Sequence, residues 1–256
     1  MSTPTIATPG VDRVVVGVVG VSWVLAVLPL VWGRGPLPGH DELLADGGPP
    51  WPVAVLLFVA VWQLMTGAMM LPSSLPMVRL FGRVSAGQER AGLALAAFLA
   101  GYAAVWTGFA ATAFAGDTAL HRLVEGWPAL RDRPWVILAA TLLVAGGFQF
   151  SPLKERCLHE CRSPASFLYR YYARGLGAAW RLGLRHGLFC LGCCWALMLV
   201  MFGVGVGSLP WMLALTGVMV VEKTSRHGRR LVPIVGTTLL VWGGLLVVRG
   251  LVLGSA

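Results

Sequence analysis

The sequence carries little charge for its length. Only 12% of its 256 residues are Asp, Glu, Lys or Arg, and only 11 residues are acidic. Because soluble domains contain about 25% charged residues, a soluble globular fold is excluded. The few charges are grouped in short stretches with long apolar runs between them. These runs are expected to be membrane helices, since they lack the alternation of a barrel strand and a bilayer leaves no other partner for backbone polar groups.

Enzyme motifs are missing as well. The chain has no phosphate-binding glycine loop, no His-Glu-x-x-His and no Ser-His-Asp set that the topology could bring together. Asp and Glu lie in loops or at the edges of apolar runs, so no row of ionisable side chains crosses the membrane as in a proton-coupled pump. The net charge of +9 does not indicate nucleic acid, because the basic residues flank the apolar runs.

Seven hydrophobic segments indicate an all-α, polytopic transmembrane helix bundle. A helix that crosses the bilayer needs roughly 20 residues, and the sixth segment is shorter, so six spans and a re-entrant hairpin are the alternative. No repeat or soluble region interrupts the pattern, and residues 1–256 are expected to form a single integral membrane domain. The segments are Val14–Trp32, Trp51–Leu71, Ala91–Phe114, Pro134–Phe150, Gly187–Gly207, Leu209–Val221 and Leu231–Leu253.

The basic residues indicate how the bundle is oriented. With the N-terminus in the cytoplasm, 15 of the 20 Lys and Arg residues lie inside and 5 lie outside. Cytoplasmic loops of membrane proteins carry an excess of Lys and Arg. The count therefore predicts a multi-pass protein of the cell (inner) membrane with a cytoplasmic N-terminus and, for seven spans, an external C-terminus.

The fourth loop carries seven of these basic residues. Ser163-Pro164 favours the start of a helix there. Four arginines then recur on one side, opposite an apolar side, which predicts an interfacial amphipathic helix whose arginines face anionic lipid headgroups. An ordinary basic loop without a helix is the alternative. The arginines are Arg170, Arg174, Arg181 and Arg185.

All five cysteines lie within 38 residues on the predicted cytoplasmic side, where thiols stay reduced. Residues three or four apart share a helix face, and the start of the fifth segment carries such a stripe of imidazole, thiol and thioether groups. Soft sulfur ligands select Cu(I), and zinc is the alternative for Cys and His. Plain apolar packing explains the same stripe without a metal. The stripe consists of His186, Cys190, Cys193, Cys194, Met198 and Met201.

Two other groups are expected at the same membrane depth. The fourth loop contains Cys157-x-His159-x-Cys161, in which the ligands share one face if the backbone is extended. On a helix, the two cysteines would be one turn apart with the histidine to the side. Met69 and Met70 end the second segment on the same side of the membrane. The alternatives are loop cysteines beside basic residues and methionines that only pack.

These motifs resemble a bacterial family catalogued as domain of unknown function 2182. That family is described as predicted metal-binding integral membrane proteins, and some members carry a copper-chaperone label. The resemblance implies a membrane fold with a metal-binding function, but no reaction or transport direction. The matching pieces are Ala68-Met-Met-Leu-Pro72, Gln149-Phe-Ser-Pro-Leu-Lys154, Cys157, Cys161-Arg-x-Pro164, Cys190-Leu-Gly-Cys-Cys-Trp-Ala-Leu-Met198, Trp211-Met212 and Glu222-Lys223.

The leading hypothesis is a membrane protein that handles Cu(I), by delivery or translocation, with the aid of a protein partner in metal handling. The first alternative is a non-catalytic subunit or assembly factor of a larger complex, in which the cysteines only pack. The second is a membrane thiol oxidoreductase that uses Cys190-x-x-Cys193. No catalytic residue is assigned, and no cofactor motif accompanies the redox spacing of the last hypothesis.

The orientation can be tested with reporter fusions. A reporter fused after Arg174 should be cytoplasmic, because that loop carries the largest share of the basic residues. A reporter at the C-terminus should be external if all seven segments cross the membrane. A cytoplasmic C-terminus would instead support six spans and a re-entrant segment.

Overall fold

The computed structural model describes residues 9–32, 43, 47–133, 135–205 and 208–253. Pro134 and Gly207, which bound two of the predicted segments, lie outside this part. The described residues form helices and contain no strand, so the predicted all-α bundle is confirmed. The helices are α1 (Pro9–Val31), α2 (Trp51–Met65), α3 (Leu71–Ser85), α4 (Ala91–Gly126), α5 (Pro128–Arg131), α6 (Trp135–Gln149), α7 (Pro152–Arg162), α8 (Pro164–Tyr171), α9 (Leu176–Val204), α10 (Leu209–Thr224) and α11 (Gly228–Leu253).

Five helical stretches in the described part are long and apolar enough to cross a membrane: α1, the continuous stretch Trp51–Ser85, α4, α9 and α11. Helices α6 and α7 would make a sixth as one span broken by a bend of 64°. Helix α10 has 16 residues, which is shorter than a usual span. The described part of the chain thus has five or six candidate spans, and the helix at the sixth predicted segment is shorter than a usual span.

Several helices continue beyond the predicted segments. Helix α4 reaches Gly126 rather than Phe114, so the residues that follow the predicted segment, His121 among them, are helical. Helix α9 begins at Leu176, eleven residues before the predicted Gly187. The second segment continues through Pro72 to Ser85. The hydrophobic pattern marks the apolar part of a helix, but a helix that leaves the membrane can continue with polar residues.

The predicted arginine-striped helix is not one helix. Helix α8 begins at Pro164 as expected but ends at Tyr171, and α9 begins only after Gly175, which has a φ of +99°. Such a backbone conformation suits glycine and interrupts a helix. The break places Arg181 and Arg185 on the first turns of α9. The guanidinium of Arg170 donates hydrogen bonds to Oε1 and Oε2 of Glu160, at 2.7 and 2.6 Å, and these bonds raise the pKa of Arg170.

Helix α9 packs against α4 with unusually close backbones. A Cβ atom added at Gly183 would overlap the carbonyl oxygen of Phe98, and one added at Gly101 would overlap the carbonyl oxygen of Trp180. Small residues let membrane helices approach closely, because packing rather than hydrophobic burial drives their association. Helices α6 and α11 form a second close pair, in which a Cβ at Gly146 would lie 2.9 Å from the Gly236 oxygen.

The close contact at Gly183 predicts a large effect of one methyl group. Gly183→Ala should destabilise the protein by about 1 to 3 kcal/mol, because the clash is with backbone that cannot rotate away. Gly177→Ala, on the same helix, adds a methyl into open space and should be neutral or stabilising. Thermal unfolding in detergent measures both variants. Equal melting temperatures of the two variants would contradict the close packing of α9 on α4.

Candidate functional site

A π-helical turn in the second span brings a methionine to the centre of the bundle. Residues Thr66–Met70 form this turn between α2 and α3, and the amide of Leu71 donates to the Thr66 carbonyl five residues back. Pro72 lacks the N–H group that would bond the Ala68 carbonyl in a regular α-helix. The indole of Trp23 on α1 donates to that carbonyl instead, at 3.2 Å. The backbone irregularity around Met70 is therefore satisfied within the protein.

Three thiols surround one turn of α9. The side chains of Cys193 and Cys194 lie 3.0 and 2.8 Å from the carbonyl oxygen of Cys190. All three residues are buried. The predicted stripe is thus real as a helix face, since residues three and four apart in sequence meet at one backbone carbonyl.

Sulfur atoms from two other helical segments reach these thiols. The Sγ of Cys193 lies 3.9 Å from the Sγ of Cys161 on α7. The Sγ of Cys194 lies 3.5 Å from the Sδ of Met70 in the π turn. We term Cys161, Cys193, Cys194 and Met70 the sulfur cluster. Its members come from three separate segments, so the fold, and not local sequence, brings them together.

The Cys-x-His-x-Cys motif is helical. Its two cysteines are one turn apart on α7, and Cys157 packs so closely on α9 that a Cβ at Gly192 would lie 2.5 Å from its sulfur. His159 is largely exposed and lines a pocket of about 380 Å³ together with Glu155 and Arg229. The helix therefore separates the imidazole from the thiols, which is the second of the two arrangements expected from sequence.

His186 lies in an aromatic environment rather than against the thiols. Its buried ring stacks on Phe98 and Tyr102, with ring centroids 5.9 and 5.6 Å apart, and meets the edge of Phe167. Its Nε2 atom has no hydrogen-bond partner among the described residues. The structure places His186 one turn before Cys190, but the contacts of its ring are with aromatic side chains.

The remaining predicted ligands are buried methionines. Met69, Met198 and Met201 are fully buried and belong to the same apolar core as the cysteines. Their neighbours in this core include the large aromatic side chains Trp62 and Trp106. They lie in the same interior as the sulfur cluster, and no hydrogen bond to a thiol like that between Cys194 and Met70 is found for them among the described residues.

Sequence reasoning missed the polar surroundings of Cys190. Its Sγ lies 3.1 Å from the hydroxyl of Tyr102 and 3.2 Å from the ammonium of Lys223, which also donates to Ser73 at 3.0 Å. The hydroxyl of Ser74 is 3.9 Å from the same sulfur. A buried thiol with so many polar neighbours is not an ordinary packing residue. The sequence feature that could have revealed these polar neighbours is Lys223, a lysine at the edge of a hydrophobic segment.

A buried ion pair holds α7 against α10. The ammonium of Lys154 lies 2.7 Å from Oε2 of Glu222, and both side chains are at most 2% exposed. Arg162 donates to the carbonyls of Glu222 and Ser225 and so caps the C-terminal end of α10. Glu222 therefore pairs with Lys154. From the sequence alone, its neighbour Lys223 would have been the expected partner.

The ligand set within the described residues is small. No group of three or more His, Cys, Asp or Glu side chains there is close enough to hold a metal ion. The close sulfur contacts are a thiol–thiol pair and a thiol–thioether pair. Structural zinc sites take four ligands, whereas soft thiolate and thioether ligands suit Cu(I).

A comparison with protein families adds an independent finding. The family model described as "PpoB2: Copper chaperone" matches residues 59–246. That is well over half of the chain. The chain belongs to this family. The matched range includes the π turn, α7 and the thiols of α9, and it supports copper handling as the general function.

The family that matches bears a different name from the domain of unknown function 2182 family that the motifs resemble. The two agree on metal handling in a membrane protein, and that coarser part of the resemblance is supported. No curated protein and no solved structure matches the chain.

The buried ion pair generates a prediction about stability. Lys154→Met should cost about 3 to 5 kcal/mol, because it leaves Glu222 as a buried, unpaired carboxylate. The double variant with Glu222→Met removes both charges and should regain most of the loss. Thermal unfolding in detergent gives the comparison. A double variant no more stable than the single one would show that packing, not charge, accounts for the effect.

Proposed function

We propose that this protein carries Cu(I) as cargo at the sulfur cluster and passes it to a protein partner. The observation that carries the proposal is the 3.9 Å separation of the sulfur atoms of Cys161 and Cys193. Membership of a copper chaperone family supports the general function. The proposal adds the oxidation state, the residues and the transfer between sites.

The thiol pair is close to the spacing that metal binding requires. Two thiolates on one ion, with bonds of about 2.3 Å, lie roughly 3.8 Å apart at a tetrahedral angle and roughly 4.6 Å apart when a two-coordinate ion such as Cu(I) lies between them in a line. The observed separation of 3.9 Å lies between these two values, so rotation of the two side chains suffices. Cys161 is only partly buried, which makes it the member of the pair that an incoming ion meets first.

The second sulfur pair offers a route deeper into the bundle. Cys194 follows Cys193 directly in the chain and contacts Met70 at 3.5 Å. An ion on Cys193 can therefore exchange one ligand at a time toward the thioether side. Met69, Met198 and Met201 are buried in the same core and provide further soft groups along this direction. Cys190 and Cys157 border the pair from adjacent turns.

Zinc is the less suitable cargo for this arrangement. A four-ligand zinc site would need His159 or His186 beside the thiols. The first lines a pocket on the far side of α7, and the second stacks among aromatic rings. Thioethers such as Met70 are poor zinc ligands, so the composition of the cluster favours copper.

A thiol oxidoreductase is the second candidate, and one observation favours it. The thiols of Cys161 and Cys193 are 3.9 Å apart and come from two different helices, so they, rather than Cys190 and Cys193, would form the redox pair. Oxidation would join α7 and α9 covalently and remove the metal site. Thiol trapping under non-reducing conditions distinguishes the two functions, because a Cu(I) carrier should keep its thiols reduced.

The sulfur cluster lies at the end of the bundle that is rich in arginine, which we propose faces the cytoplasm of the cell membrane. Helix α8 and the first turns of α9 carry several of these arginines at that end. Anionic lipid headgroups are attracted to such basic segments. Arg170 forms an ion pair with Glu160. Arg174, which precedes α9, and Arg181 on α9 are therefore the better candidates for lipid contact.

Replacement of the central thiols tests the proposed cargo site. The variant Cys193→Ser with Cys194→Ser should lose tight Cu(I) binding, because both sulfur pairs lose a member. Met70→Leu should weaken binding, whereas Met77→Leu should not, since Met77 is buried in a separate core. Competition with a Cu(I) chelator under reducing conditions measures affinity.

Helix content and size in detergent should be unchanged in all these variants. If the double cysteine variant bound as much Cu(I) as the wild type, the stripe would be packing. An assembly factor whose partner performs the chemistry would then become the better hypothesis.

A further inference from the structure

Lys223 is a buried cation with no acidic partner in the described part of the chain. Its ammonium contacts the hydroxyl of Ser73 at 3.0 Å and the Sγ of Cys190 at 3.2 Å, and the residue is 6% exposed. The neighbouring carboxylate, Glu222, is paired with Lys154 instead. The positive charge of Lys223 therefore faces a thiol and a hydroxyl rather than a carboxylate.

That charge lies one helical turn from the proposed ligands. The thiols of Cys193 and Cys194 both contact the carbonyl oxygen of Cys190, whose own sulfur contacts Lys223. Coulomb repulsion between the ammonium and a bound metal ion grows in proportion to the charge of the ion. A divalent ion at the sulfur cluster is thus repelled twice as strongly as a monovalent one.

We propose that Lys223 determines the metal selectivity of the sulfur cluster, favouring monovalent soft ions over divalent ones through its fixed charge. This inference rests on the proposed function, because it requires the sulfur cluster to bind metal. It goes further in naming a residue that is not a ligand as the source of the selectivity. Ligand softness alone would not separate Ag(I) from Cd(II), which both prefer thiolates; the charge does.

The test compares full-length protein in detergent with charge-altering and charge-preserving variants. Lys223→Met removes the charge with little change in length, and the ratio of Zn(II) to Cu(I) affinity should rise on the order of tenfold or more. Ser73→Ala removes the hydrogen-bond anchor of Lys223 and keeps the charge, so it should leave the ratio unchanged. Tyr102→Phe removes the other close contact of Cys190 and should also leave the ratio unchanged.

A merely structural role of Lys223 gives a different result. Loss of an anchor would weaken both ions alike, and Ser73→Ala would then act like Lys223→Met. Either an unchanged ratio in Lys223→Met or an equal shift in Ser73→Ala overturns the inference. Failure of the wild type to bind Cu(I) overturns the proposed function instead, so the two failures are distinguishable.

A second measurement needs no variant and applies even if Lys223→Met fails to fold. The wild-type protein should bind Ag(I) much more tightly than Cd(II), relative to a soluble two-thiolate peptide that lacks a nearby cation. Both ions are soft and neither changes oxidation state in the assay. If the protein and the peptide discriminate equally between Ag(I) and Cd(II), the fixed charge has no influence and the inference is wrong.

Discussion

The close backbone contact between α4 and α9 determines where the functional groups lie. Lipid chains are as apolar as leucine, so helices in a membrane gain little from hydrophobic burial and depend on close packing. At Gly183 the carbonyl of Phe98 occupies the space that a side chain would take. Tyr102 follows Phe98 by one turn and thereby reaches Cys190. One glycine contact thus aligns the thiol-bearing face of α9 with the polar groups of α4.

Buried charge provides the second constraint, from the opposite side of α9. An unpaired ion in the interior is costly, and Lys154 meets this cost by pairing with Glu222. The pair joins α7 to α10, and Arg162 strengthens the junction through two backbone carbonyls. Because Cys161 lies on α7, the same junction holds its thiol close to α9. These electrostatic contacts therefore position the thiol of Cys161, although no sulfur atom takes part in them.

Sequence periodicity predicts contacts within one helix well and contacts between helices poorly. The thiols of α9 recur at intervals of three and four residues, so their common face follows from helix geometry alone. The pairing of Lys154 with Glu222 joins residues 68 positions apart, and nothing in the spacing of either reveals it. Tyr102 was missed for the same reason, since an aromatic residue in an apolar run resembles any other core residue.

The failed expectations have similar physical causes. His186 belongs to the stripe by spacing, but the rings that pack on it come from α4 and α8, and residue type gives no sign of them. Polar residues after Phe114 resemble a loop, although a helix can continue into water once it has left the bilayer. The break at Gly175 depends on a positive φ, which glycine permits, but the presence of a glycine does not by itself predict such a break.

The π turn sets how the two halves of the second span are rotated relative to each other. Such a turn is an α-helix with one residue inserted, and each residue accounts for about 100° of rotation. Deletion of the extra residue would turn α2 relative to α3 by that angle, so Trp62 and Phe81 could no longer both face the interior, where they are buried now. The span is therefore two half-helices whose relative rotation is set by the inserted residue. Met70 lies at the point where they join, and loss of the inserted residue would rotate its sulfur by about 100° relative to α2, away from the position where it contacts Cys194.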